Sequence, residues 1–230
     1  MAYNKIGILV AMDSEFSLMK NLLGDVREAN YHKSAVIGRV GNKLVGLMKT
    51  GIGKVNAAVS ALELIDGFSP DCVLNTGVAG GIDRCLSVGD IVVGTNTCYH
   101  DFYAGDVADH LRELGFPDEI PADARLLASL RDKAQACSYL KFGQICTGDQ
   151  FITNNATLEV IKGKRPQGLA VDMESGSVAH VCFMRKVPFV SFRVISDTPW
   201  VDNQAEQYAD FWTSAPQKNF NLLQELVEHI

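Results

Sequence analysis

The chain has 230 residues, 47% of them hydrophobic, and a formal net charge of −6, a size that suits one large α/β domain or two small ones. Its pI near 5.3 and the absence of any Lys/Arg cluster exclude nucleic acid as the main partner, because phosphate backbones need a positive surface. No apolar run approaches the roughly 18 residues of a membrane span, so no membrane partner is expected.

Lys5 to Ala11 is a continuous apolar run of strand length, followed by Asp13 and Ser14 as helix-cap candidates. The N-terminus thus reads as a first strand and not as a signal peptide. "SAVIGRVGNKLVGLMKTG" gives two β-rich runs around Gly41-Asn42, the pattern of a hairpin. "GKVNAAVSALELIDGF" has apolar residues at helical spacing and closes at Gly67. "DCVLNTGVAGG" reads as a buried strand running into a glycine loop, and "VGDIVVGTNTCYH" as another strand. Asp101 to Pro121 is the least regular region, with "GFPDEIP" expected as a loop. A helix follows in "ADARLLASLRDKAQAC", a strand in "LKFGQICTGDQF" and a helix from "NNATLEVIK". Strand, helix and strand then succeed one another in "AVDMESGSVAHVCFMRKVPFVSFRVISD", and one amphipathic helix closes the chain. With no repeat or linker, this order predicts a single α/β domain over residues 1–230 with a mixed, largely buried sheet.

The six cysteines form no C-x-x-C pair and mostly sit in apolar runs, which predicts free buried thiols in a reducing compartment. The five histidines show no H-x-x-x-H or H-E-x-x-H spacing, so neither a metal nor another cofactor is expected.

Acids recur where apolar strands give out. Glu15 follows the first strand, Glu174 ends one strand and Asp197 another, while "TGVAGG" and "GDQFI" follow two more. If those strands are parallel, crossover connections bring their carboxyl ends to one edge, where ligands of α/β sheets bind. Each residue also has a plainer role open to it: Glu15 and Glu174 as first-turn acids, Asp197 as a turn residue, Phe151 as packing. The pattern by itself yields a pocket and no substrate.

The segments "KIGILVAMDSEF", "KTGIGKVNAA", "NTGVAGG", "VGDIVVG", "YHD", "TGDQFI", "VDMES" with "AHVC", and "VPFVSFRVISD" run in this order over nearly the whole chain. In them the chain resembles the nucleoside phosphorylase superfamily and, within it, the bacterial 5′-methylthioadenosine/S-adenosylhomocysteine nucleosidases. The resemblance implies a three-layer α/β/α sandwich around a mixed central sheet, a cytoplasmic homodimer, and a small purine nucleoside as partner. The reaction it implies is hydrolysis of the N-glycosidic bond to adenine and a 5-thio-substituted ribose. By the same resemblance Glu15 activates the attacking water, Asp197 protonates adenine N7, and Glu174 with Met173 holds the ribose. Arg193 is implied near the water and Glu174, Phe151 stacked on adenine, and the Ile152 backbone on its edge. Met12, Ile52, Ser196 and Tyr208 match other pocket-lining positions.

That chemistry suits the residue types, because an acid must neutralise the departing base while a carboxylate deprotonates water on the other face of an oxocarbenium-like sugar. Asp197 and Glu15 should then sit in different environments, the one protonated and the other ionised. Water is favoured over phosphate as the nucleophile, since two like charges a few ångströms apart oppose each other by roughly 4 kcal/mol at an effective dielectric near 20. The chain departs from the nucleosidase pattern at Val78, where relatives usually place a serine, and in "FYAGDVADHLRELGFPDEIP" after "YHD". The 5′-substituent is therefore left open. A phosphate-dependent phosphorylase, a futalosine-type adenine nucleosidase and a nucleoside-binding protein with a decayed site stand as alternatives.

Overall fold

The computed structural model of the protein describes residues 3–103, 105, 113, 115, 117–134, 137, 139–201, 203–214 and 216–230. The N-terminal apolar run forms β1 (Lys5–Val10), and α1 (Asp13–Lys20) follows with Met12, not Asp13 or Ser14, at its cap. After the short, exposed β2 (Gly24–Glu28) comes the hairpin of β3 (Ala35–Val40) and β4 (Lys43–Lys49). The helix α2 (Lys54–Phe68) leads to β5 (Cys72–Gly81), β6 (Ile91–Tyr99) and β7 (Glu119–Pro121). The remainder alternates: α3 (Ala124–Ala134), β8 (Leu140–Thr147), α4 (Asn155–Lys164), β9 (Gly168–Asp172), α5 (Ser175–Arg185), β10 (Phe189–Asp197), α6 (Gln204–Ser214) and α7 (Pro216–His229).

Three expectations about elements change. The glycines of "TGVAGG" stay within β5 instead of looping, because β10 pairs with that stretch from Val73 to Gly80. In "GFPDEIP" the last three residues form β7, which bonds antiparallel to β6 through Thr97 and Ile120. The closing helix is two helices, one ending at Ser214 and the next starting at Pro216, a residue type favoured at a helix's first position. Half of the changed segment after "YHD" (104, 106–112, 114 and 116) lies outside the described residues.

The ten described strands make one mixed sheet in the order β10-β6-β8-β9-β5-β1-β4-β3-β2, with β7 on β6, and an added β10–β5 pairing closes part of it on itself. The strands β1, β4, β5 and β10 run parallel, while β6, β8 and β9 run the opposite way. Carboxyl ends therefore do not all meet at one open edge, which corrects the premise of parallel strands. They meet because β1 and β9 share one edge of β5 head to head: β1 covers Cys72 to Asn75, and β9 arrives from the other direction onto Gly80 and Gly81. Residues 76–79 are left between the two strand ends.

Alternation along β1 sends Ile6, Ile8 and Val10 into one core with Met19 of α1, Leu126 and Leu130 of α3 and Leu223, Leu226 and Val227 of α7. Leu9 faces the other core with Ala57, Ala61 and Leu64 of α2 and Val178, Ala179 and Cys182 of α5. The sheet thus has helices on both faces, as an α/β/α arrangement requires. The helix α2 approaches closely because Gly46 is bare: a Cβ there would stand 2.7 Å from the Phe68 ring. Among the described residues no helix is long and apolar enough to cross a membrane.

Candidate active site

The gap between β1 and β9 opens into a cleft. All twelve residues singled out in the sequence line it. Met12 and Glu15 come from the β1–α1 junction, Ile52 from the loop before α2 and Val78 from β5. Phe151 and Ile152 follow β8, Met173 and Glu174 join β9 to α5, Arg193, Ser196 and Asp197 belong to β10, and Tyr208 to α6. Ala79, Gly80, Gln150 and Asp172 complete much of the wall.

Glu15 is buried because the first turn of α1 folds its side chain back over the strand it follows. Its Oε2 accepts from the backbone N–H of Ala11 and of Met12, both at 2.9 Å, and its Oε1 from Val78 N–H at 3.0 Å. Only 1% of the residue is exposed. Burial pushes its pKa up, against the pull of the Arg193 guanidinium and of those three amides, each of which favours the carboxylate. The side chain at position 78 takes no part in holding Glu15, since the contact is made by the backbone.

Arg193 stands mid-strand and is 1% exposed, a position that demands counter-charge. Its Nη2 lies 2.7 Å from Asp172 Oδ2 and 3.4 Å from Glu174 Oε2. The same nitrogen donates to Asn75 Oδ1, Nη1 donates to the Val78 carbonyl at 3.3 Å and Nε to Ser175 Oγ at 3.2 Å. Asp172 is held in turn by Thr147 and Ser175. Sequence reasoning missed Asp172, although an arginine inside "FVSFRVISD" was itself the signal that a buried acid must lie nearby. Glu174 accepts from Gly53 N–H at 3.0 Å. Burial, opposed by Arg193 and assisted by the charge of Asp172, raises its pKa to about 7.

Asp197 is as buried as Glu15 but is held differently. Oδ1 accepts from the Ser196 hydroxyl and Oδ2 from the Gln204 amide, both at 2.6 Å. Burial raises its pKa, and the two neutral donors lower it again in part. The expected contrast is thus one of partners: amides and a nearby guanidinium for Glu15, neutral side chains for Asp197. Gly77 permits the crowding between them, with φ of +143°, and a Cβ there would stand 2.4 Å from Glu15 Oε1 and 2.9 Å from Arg193 Nη1.

Phe151 is half-exposed at the mouth and meets Tyr208 edge to face, with ring centroids 5.6 Å apart. Tyr208 in turn reaches Met12 Sδ through its hydroxyl at 3.7 Å. Such a slot, apolar on its faces with polar groups at its end, fits a flat heteroaromatic ring. Among the described residues no group of three His, Cys, Asp or Glu side chains is placed to hold a metal ion.

The model of the phosphorylase superfamily matches residues 5–228. A 5′-methylthioadenosine/S-adenosylhomocysteine nucleosidase of Staphylococcus epidermidis is 35% identical over 225 residues, covering 96% of this chain and 99% of that protein. The nucleosidase of the same name from Actinobacillus succinogenes is 42% identical over 199 residues, 84% of this chain and 85% of its own. Among solved structures, the S-adenosylhomocysteine nucleosidase of Streptococcus pyogenes in complex with 5-methylthiotubericidin aligns with a TM-score of 0.89 and 28% identity over 100% of this chain and 98% of that one. The nucleosidase of Neisseria meningitidis in complex with methylthio-immucillin-A aligns at 0.87 and 30% identity over 99% and 100%.

Proposed function

The chain belongs to the phosphorylase superfamily, and from that premise we propose that it hydrolyses the N-glycosidic bond of 5′-thioadenosines such as 5′-methylthioadenosine and S-adenosylhomocysteine. The products are adenine and a 5-thioribose. The observation that carries this reading is the charge of the cleft. It gathers Glu15, Asp172 and Glu174 around one guanidinium, Arg193, which two of those acids already engage. Such a site favours a cationic sugar in the transition state and opposes an entering phosphate. Each like-charge contact costs roughly 4 kcal/mol at an effective dielectric near 20.

In this mechanism Phe151 stacks on adenine, the Ile152 backbone meets its edge, and Glu174 with Met173 holds the ribose hydroxyls, Glu174 itself fixed by Arg193. Met12, Ile52, Ser196 and Tyr208 close the remaining walls. As the C1′–N9 bond breaks, its electron pair passes to the base and Asp197 supplies a proton to N7. Water then bonds to C1′ from the opposite face while Glu15 removes its proton. Burial raises the pKa of both groups, which strengthens Glu15 as a base and favours the protonated form that Asp197 needs as an acid. Val78 leaves this scheme intact because the backbone holds Glu15.

Glu15→Gln and Asp197→Asn should each lower kcat by about a hundred- to ten-thousandfold. Either variant turning over 5′-methylthioadenosine at the parent rate would overturn the assignment.

The finer expectations of a homodimer and a cytoplasmic setting belong to the same proposal. Val55 of α2, Met184 of α5 and Phe102 are exposed and line one apolar groove, larger than isolated surface residues would make. The six cysteines are free thiols, which suits a reducing compartment.

A further inference from the structure

Gln204, the first residue of α6, is buried, yet the sequence marks it in no way. Its amide nitrogen is 2.7 Å from the Ile152 carbonyl oxygen and 2.6 Å from Asp197 Oδ2. One nitrogen thus spends both its hydrogens on the Ile152 carbonyl and the Asp197 carboxyl, the two groups that the mechanism sets at the edge of the base. Adenine offers the same pattern there: a 6-amino nitrogen with two hydrogens, set beside N7.

We propose that Gln204 is an internal stand-in for the adenine 6-amino group, occupying the base-reading acceptors of the free protein and yielding them when adenine enters. This inference rests on the nucleosidase reading. Gln204 is then a specificity-determining residue that acts by competition. Without Gln204 the Ile152 carbonyl would lack this buried partner and Asp197 would keep only the Ser196 hydroxyl, and a buried polar group left unpaired costs more than a hydrogen bond is worth. Gln204 removes that cost, so an incoming amino group exchanges two bonds for two and gains little. The contacts of α6 suit such an exchange. Gln207 Oε1 accepts from Thr198 N–H at 3.0 Å next to Asp197, and Tyr208, which lines the cleft, rests on Phe151.

Purine, which lacks the amino group, has no need to displace Gln204. The test is calorimetric binding of adenine and of purine to the parent protein, Gln204→Ala and Gln204→Met, with thermal melting to confirm the fold of each. Met keeps the length of the side chain without a donor, so it separates lost bonds from lost bulk. In both variants the preference for adenine over purine should rise by roughly tenfold, the worth of hydrogen bonds newly gained instead of exchanged. A preference that is unchanged or lower in the variants, with adenine still binding the parent, overturns the stand-in and leaves the nucleosidase reading in place. Failure of the parent to bind adenine at all overturns both.

Discussion

Replacing Gly77 by alanine should disable the protein without substituting any group that reacts. With φ of +143°, the backbone there suits glycine, and holding a side chain in that region costs about 1–3 kcal/mol. The new Cβ would stand 2.4 Å from Glu15 Oε1, so the carboxylate must retreat by roughly 1 Å to reach ordinary contact. That retreat breaks the Val78 N–H bond at 3.0 Å, a hydrogen bond to a charged group worth about 1.5–3 kcal/mol. Together the terms predict a loss of about 3–5 kcal/mol and a melting temperature lower by roughly 10 °C. A base displaced by an ångström should also cost about a hundredfold in kcat. Thermal denaturation and adenine release from 5′-methylthioadenosine measure the two effects. A variant that melts within about 2 °C of the parent and keeps its turnover would refute the packing argument at β5.

The remaining predictions concern charge and the Val78 position. Glu174 has a folded pKa raised to about 7 from 4.5, so the folded protein holds that proton more tightly than the unfolded chain. Its contribution to stability is full below about 4.5 and is lost as pH rises toward 7, by up to about 1.4 kcal/mol per pH unit. Chemical denaturation across that range should show the fall, and Glu174→Gln should flatten it, while kcat/KM of the parent rises over the same interval as the ribose-binding carboxylate ionises. Asp172→Asn removes the charge facing Arg193 at 2.7 Å and should destabilise by about 3–5 kcal/mol, as breaking a buried pair does; a variant of parental stability would show that Glu174 alone balances the guanidinium. Val78→Ser should leave melting nearly unchanged and alter kcat by less than about tenfold, the worth of one hydrogen bond. Met184→Asp, on the apolar face, should shift the sedimentation of a dimer toward the monomer.

What the sequence disclosed was where strands stop. Glu15, Glu174 and Asp197 could be named because each ends or follows an apolar run, and the resemblance gave them tasks. Strand direction could not be read in this way. Residues 168–172 are as apolar as their neighbours whichever way they run, and only the crossover through α4 and α5 sets β9 head to head with β1. The brief β7 pairing escaped notice because three residues ending on Pro121 carry no periodicity, and its bonds to β6 are long-range. Gln204 was invisible for a related reason: a glutamine opening a surface helix looks solvated, and its burial depends on Ile152 and Asp197, some fifty and seven residues away.

The most direct test of the account is adenine release from 5′-methylthioadenosine, followed with and without inorganic phosphate, together with identification of the sugar. The acidic cleft predicts equal rates in both conditions and a free 5-thioribose. Release that requires phosphate and yields a sugar 1-phosphate would contradict it, and would mean that Arg193 leaves its carboxylates to receive the anion.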